Sequence, residues 1–348
     1  MRLSLKEHIQ FIKQLAVLLR AGVPILASLR MVKEQSKSKT MIAIMDAVIK
    51  DVENGQYLAG ALKKFKKIFG ELTINIIAIG EMSGNLSNNL DHLALTLKKK
   101  QALHRKIIGA SVYPIFIVIA TLVIAIVLTV FIFPKILPVF KSLNYDLPWT
   151  TKFLIFVNLA LRNYGALIAV LLALGMVGFT LLWEIKSFRF WFQTLLLRTP
   201  FLGRVMQTYN STGIFRTLGL LLNSGVTVVQ SFQIVSETTL NLVYKKELTV
   251  IAENIMKGES ISANMNKNSA VFPLAAAQMI AVAETTGKLS ETFSYLANVY
   301  EEELDETTKN LSTMVEPMLL VFMGVLVGFI AISIITPIYG ITQHLSPK

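Results

Sequence analysis

Apolar positions in this chain fall at helical spacing, and three times they merge into long uncharged runs. Phe11, Leu15, Leu18 and Leu19 stand at i, i+4, i+7 and i+8, the stripe of an amphipathic helix. Ala21-Gly22-Val23-Pro24 ends it, with Gly suited to the left-handed position after a helix and Pro unable to continue one. The pattern predicts further helices over Ile25 to Glu34, Met41 to Glu53 and Glu71 to Met82, with a short one marked by Leu58, Leu62 and Phe65. From Leu86, the positions Leu90, Leu93 and Leu97 open a long helix that heads for a membrane. No segment alternates with period two, so no sheet is expected.

Residues 107–134 carry no charge, and Ala110 to Phe133 is long enough for a span of roughly 20 residues. Pro114 sits in its first turns and Pro134 is expected to close it. Phe153 to Leu161 is apolar but short and is followed by Arg162, which predicts a helix lying at the interface. Tyr164 to Trp183 reads as a second span, and Pro317 to about Ile335 as a third, with Pro337 just beyond. The expected fold is an all-α membrane protein with two homologous cytoplasmic helical bundles and three transmembrane helices. Its boundaries are 1–109 for the first bundle, 110–133 for span one and 134–163 for an extracytoplasmic connector. Span two follows at 164–183, the second bundle at 184–315, span three at 316–336 and a short outer tail at 337–348.

The two bundles are copies. Glu81-Met-Ser-Gly84-Asn-Leu86 returns as Glu284-Thr-Thr-Gly287-Lys-Leu289, 203 residues later. The same offset carries Gly22 to Gly225, Gly55 to Gly258, Phe69 to Phe272, Pro114 to Pro317 and Pro134 to Pro337. Constant spacing over such distances means duplication. It also explains the middle span. Each copy ends in an outgoing helix, so two copies can share one side of a membrane only if Tyr164–Trp183 brings the chain back, giving parallel repeats.

Composition agrees with a membrane protein. Hydrophobic residues make up 53% and charged residues 16% of the 348, against about a quarter charged in soluble proteins. Mean hydropathy is +0.56. The chain has no cysteine, which excludes disulfides and thiolate-held metals. Net charge is +12, but residues 1–109 hold 18 Lys/Arg against 8 Asp/Glu, whereas residues 184–316 hold 11 against 13. Lys98-Lys99-Lys100, Arg105 and Lys106 precede the first span, and Lys186, Arg189, Arg198 and Arg204 follow the second. This places both bundles, and the N-terminus, on the cytoplasmic side. Lys6, Glu7 and Lys13 interrupt any signal-peptide core.

Candidate chemistry is sparse. His8, His92, His104 and His344 lack ligand spacing. Gly287-Lys288 is not a phosphate loop, because Val282 and Leu289 stand where Gly and Ser or Thr are required. No Asp, Glu, Lys, Arg or His lies within the three apolar cores, which disfavours a channel or carrier. A membrane-tethered nucleic-acid binder, as in a DNA-uptake machine, would use the basic first bundle, but no aromatic-and-basic face supports it. No catalytic, metal or cofactor residue is predicted.

Two features remain. The turns at Glu81, Gly84, Glu284 and Gly287 read either as structural, with each Glu meeting a cation or exposed backbone N–H groups, or as partner contacts. Lys98, Lys99 and Lys100 map onto Glu301, Glu302 and Glu303, so the two juxtamembrane helices, within a chain or between subunits, are expected to lie side by side and attract.

These residues also resemble the inner-membrane platform proteins of type IV pilus and type II secretion systems, the PilC/GspF family. The likeness covers nearly the whole chain. It includes Phe11 through Ala21-Gly22-Val23-Pro24, Gly80-Glu81-x-Ser83-Gly84-x-Leu86, Tyr113-Pro114, Leu147-Pro148 and Pro200-x-x-Gly203. In the second copy it includes Gly258-Glu259-Ser260, Glu284-x-x-Gly287-x-Leu289, Tyr300-Glu301 and Glu316-Pro317. The resemblance implies a non-enzymatic scaffold that works with a hexameric cytoplasmic ATPase, pilin or pseudopilin subunits, other inner-membrane assembly proteins, membrane lipid and further copies of itself. ATP would bind the partner. Thr227 departs from the pattern, standing where Pro24 stands in the first copy. Gly175, Gly178, Gly324 and Gly328 would allow close helix approach, chiefly between the chain's own spans.

Overall fold

The computed structural model describes residues 3–141, 148–200, 202–268 and 271–345. The described residues are helical throughout, with no strand. Module one contains α1 (Leu5–Arg20), α2 (Ile25–Gln35), α3 (Lys39–Glu53), α4 (Leu58–Lys63), α5 (Lys66–Ser83) and the start of α6 (Leu86–Val127). A π-helical turn, Leu128–Ile132, joins α6 to α7 (Phe133–Lys141). Then come α8 (Trp149–Glu184) and α9 (Lys186–Arg198). Module two contains α10 (Leu202–Asn223), α11 (Val228–Thr238), α12 (Leu242–Met256), α13 (Ile261–Asn266), α14 (Leu274–Thr286) and the start of α15 (Leu289–Leu345).

The chain forms two compact units. One unites residues 1–106 with 186–306, and the other unites 107–185 with 307–348. In the first unit, the duplication holds at the level of single caps. The starts of α2, α3, α4 and α6 recur 203 residues later as the starts of α11, α12, α13 and α15. Ser38 and Asn241 cap α3 and α12 at equivalent positions, each accepting a backbone N–H. Ser87 Oγ donates to the Ala16 carbonyl at 3.1 Å, and its counterpart Ser290 donates to the Gly219 carbonyl at 3.3 Å. Of the stripe read from the sequence, Phe11 and Leu15 are fully buried and Leu18 and Leu19 half-buried against the core, which Leu29, Ile44 and Leu62 complete. Each fully buried side chain contributes about 1.5–3 kcal/mol.

One local difference is instructive. Gly70 bends α5 with φ of 78°, where Pro273 starts α14 afresh. The first copy makes this corner with a residue free to take positive φ; the second uses a fixed φ at a helix start.

The second unit holds three helices long and apolar enough to cross a membrane. Leu167, Leu172 and Met176 on α8 are all exposed, as suits a surface solvated by lipid. The structure departs from the expected helix ends. α8 is continuous from Trp149, so Phe153 to Leu161 forms the first turns of the returning helix, not a separate interfacial one. Arg162 stays on its exposed side, and one charge does not break a helix. Pro134 does not close the first span. The preceding π turn absorbs it, with the Phe133 N–H reaching the Leu128 carbonyl, so the wider turn accommodates the proline ring. Pro114 also lies inside α6. Pro317 and Pro337 fall within the unbroken α15, so all four prolines are internal to helical runs and none of them ends its helix.

The π turn has a consequence for packing. Shifting the Phe133 N–H to Leu128 leaves the Thr129 carbonyl without its helical donor, and the Asn158 side-chain amide donates to it at 2.5 Å. Thr151 Oγ likewise donates to the Ser333 carbonyl at 2.7 Å. These polar ties, with buried Phe133, Leu154 and Ile330, join the three spans. The glycines do not: a Cβ at Gly175, Gly178, Gly324 or Gly328 would meet nothing within 4 Å. The GxxxG at 324–328 is not a contact between this chain's spans.

Candidate functional site

Three helices build each glutamate turn. In module one, α5 carries Glu81 to the start of α4, where Leu58 and Ala59 N–H groups donate to its two carboxylate oxygens at 2.6 and 2.8 Å. In module two, α14 carries Glu284 to the start of α13. Ile261 and Ser262 N–H donate to it at 2.5 and 3.1 Å, and Ser262 Oγ donates at 2.6 Å. A carboxylate here satisfies donors with no intrahelical partner and meets the positive end of the helix. Gly84 and Gly287, with φ of 69° and 73°, end α5 and α14 in the left-handed region and turn the chain into α6 and α15. Lys288 N–H closes the second turn on the Ala283 carbonyl at 3.1 Å. Each glutamate therefore clamps one short helix to the turn that launches a long one.

The long helices meet in the first unit. Lys99 Nζ lies 3.0 Å from Asn298 Oδ1 and 3.4 Å from Glu301, and Lys106 lies 2.6 Å from Asp305. Of the six residues in the two charged triplets, Lys99 and Glu301 come together directly. Glu303 pairs instead with Arg204 at 3.0 Å. Lys98, Lys100 and Glu302 have no ion pair among the described residues.

Two interior groups went unread in the sequence. Arg216 on α10 is only 8% exposed, and its guanidinium lies 2.7 Å from Glu301. It also donates to the Ala297 carbonyl at 3.3 Å. Desolvation lowers its pKa, and Glu301 opposes that. Glu301 thus takes a buried cation from its own module and Lys99 from the other. The signal was the swap of Lys13 for Arg216 at equivalent positions, but burial cannot be read from one side chain's identity. His8 is the second. It is buried beside Phe69, with Nε2 3.3 Å from Thr73 Oγ1, and burial pushes its pKa down to about 4. Its counterpart is Ser211, which packs near Tyr244 where module one has Met41. A polar ring on the first helix in one copy is replaced by one on the third helix in the other.

This doubled architecture of helical bundle, turn and apolar helix defines a class. The chain matches the family described as type II secretion system, protein F, twice, over residues 11–134 and 214–337. It belongs to that family. It is 33% identical over 332 residues to the type IV pilus assembly protein PilC of Pseudomonas aeruginosa, covering 94% of this chain and 88% of that one. It is also 33% identical over 345 residues to PilC of Thermus thermophilus, covering 99% and 84%. Against the type II secretion system protein F of Pseudomonas aeruginosa, identity is 31% over 341 residues, covering 98% and 84%. With its three apolar helices, the chain is an integral membrane protein.

Proposed function

We propose that this protein is a non-enzymatic platform in the inner membrane, coupling a cytoplasmic assembly ATPase to the insertion or extraction of pilin-like subunits. The system served is type IV pilus assembly or type II secretion, the two named among its relatives. The observation that carries the reading is the double family match, with each copy running from a helical bundle into an apolar helix. In this reading, residues 1–109 and 184–315 share the cytoplasmic side with the N-terminus, and the connector and tail lie beyond the membrane. The excess of Lys and Arg beside the first two spans supports that orientation. ATP is hydrolysed by the partner, and the work reaches the spans through α6 and α15, which leave the modules as continuous helices.

The test is co-purification of the full chain with the hexameric assembly ATPase of the same organism. Site-specific photocross-linking in membranes from module positions, compared with positions near Leu167, accompanies it. Capture with cross-links confined to the modules supports both coupling and orientation. No capture in detergent and no cross-link in membranes would overturn the coupling.

A further inference from the structure

The two modules meet through unlike faces. Module one uses α5 and α6; module two uses α10, α11 and α15. Ala78 and Ile79 of α5 face Gln230 and Ile234 of α11 across one cleft. Thr96 and Leu103 of α6 line a second cleft together with Asn210, Gly213, Thr217 and Thr238. A contact between equivalent units through unlike faces is heterologous, so it leaves one face of each kind unoccupied. The offset of 203 locates both free faces.

We propose that α14 and α15 of one chain dock on α1 and α2 of a second copy, repeating between chains the contact that α5 and α6 make with α10 and α11 within one. Exposure follows this rule. Leu220, beneath α6, is 6% exposed, and its counterpart Val17 is 51% exposed. Half-buried Ile234 corresponds to Met31 at 40%, and half-buried Ile79 to Val282 at 64%. The module-two side of that cleft recurs in module one as a groove along Glu7, Gln10, Gln14 and Gln35, with no residue of the other module in its lining. Charge obeys the same mapping. The pair Lys99–Glu301 becomes Glu302 of one chain against Lys98 of the next, so the signs exchange and the attraction is kept. Neither residue is ion-paired within the chain among the described residues. Continuity with the existing interface and charge complementarity together select a second copy as the occupant. This inference is independent of the pilus and secretion reading.

The chain's lack of cysteine makes the test direct. Two differently tagged full-length chains, Met31→Cys and Val282→Cys, are co-expressed in membranes and treated with a short bismaleimide. The expected product is a dimer carrying both tags, absent when either chain is expressed alone. A doubly substituted chain gives a ladder of higher species, and Ile79→Cys with Ile234→Cys cross-links within one chain. Glu302→Lys lowers the intermolecular yield by a factor of about two to five, and adding Lys98→Glu restores it. If the Ile79/Ile234 pair reacts while Met31 and Val282 give only monomer, the proposal is overturned. An intrachain Met31–Val282 product overturns it equally, because the faces would then already be joined.

Discussion

Module one holds Lys13 and Lys98 where module two holds Arg216 and Glu301. On one backbone, the same two helix positions are an exposed pair of like charges in the first copy and a largely buried ion pair in the second. The difference follows from what covers them. In module two, α6 of the other module lies over this groove and supplies Lys99 to the same carboxylate. In module one, the groove is open, and lysines remain solvated there at little cost. Duplication copied the fold, and the asymmetric contact then set different chemistry at equivalent places.

The largest effect that would break this comparison is removal of Glu301. Glu301→Gln leaves the buried Arg216 guanidinium uncompensated, at a cost of about 3 kcal/mol. Lys98→Gln at the equivalent position should change stability by no more than about 0.5 kcal/mol. Arg216→Met in the Glu301→Gln background should recover most of the loss, since an apolar replacement removes the charge needing a partner. Denaturation of the full chain in detergent measures all three. Equal costs at residues 98 and 301 would show that covering the groove does not matter.

A similar but pH-gated difference is expected at His8 and Ser211. The His8 pKa is depressed in the folded state to about 4, so its neutral form is the stable one. Above the unfolded value of about 6.5 that stability is complete. As pH falls from there toward 4, the unfolded chain binds a proton the folded chain resists, and module one loses about 3 kcal/mol. Ser211 does not titrate, so module two should not share this loss. Hydrogen exchange resolved by peptide should show α1 and α5 losing protection at pH 5 before α10 and α14. His8→Asn should remove the difference.

Much of this was legible in the sequence, and the failures have physical causes. Repeated glycines, prolines and apolar stripes are local signals, and they located the helices of both modules to within a few residues. The glutamate turns were legible as turns, with exposed backbone N–H groups among the expected partners of each Glu; which helix supplies them was not, because Glu81 acts on a helix 23 residues earlier. Pro134 was misread as a stop because a π turn, unlike an α turn, can absorb proline, and only the partner Asn158 reveals the freed carbonyl. Arg216 was missed because its burial depends on a helix from the other copy. Exposure at Val17 or Val282 acquires meaning only beside its covered counterpart.

The glutamate caps sharpen the comparison at a smaller scale. Tyr57 gives α4 no side-chain cap, so Glu81 is the sole side-chain acceptor there among the described contacts. Ser260 caps α13 through Ala263 N–H at 3.3 Å, alongside Glu284. Glu81→Ala should therefore cost about 2 kcal/mol and Glu284→Ala closer to 1. Tyr57→Ser should restore about 1 kcal/mol to Glu81→Ala. The readout is hydrogen-exchange protection of α4 against α13. Equal losses, without rescue, would mean that the serine adds nothing to the glutamate.

The smallest effect is at Pro24 and Thr227, where the second copy departs from the Ala21-Gly22-Val23-Pro24 motif of the first. Both residues cap a helix start with nearly the same backbone: φ of −54° and ψ of 146° for Pro24, against −63° and 154° for Thr227. The Thr227 hydroxyl accepts the Gln230 N–H at 3.4 Å, a long bond that recovers only part of a normal cap. Proline forgoes that bond but narrows the unfolded ensemble, a gain of about 0.4–1 kcal/mol where φ already fits. Thr227→Pro should therefore stabilise module two by about 0.5 kcal/mol, and Pro24→Thr should destabilise module one by a similar amount. Paired denaturation curves of the two variants decide it. If Thr227→Pro instead destabilises, the weak cap is worth more than its length implies, and the two copies start this helix by different means of equal strength.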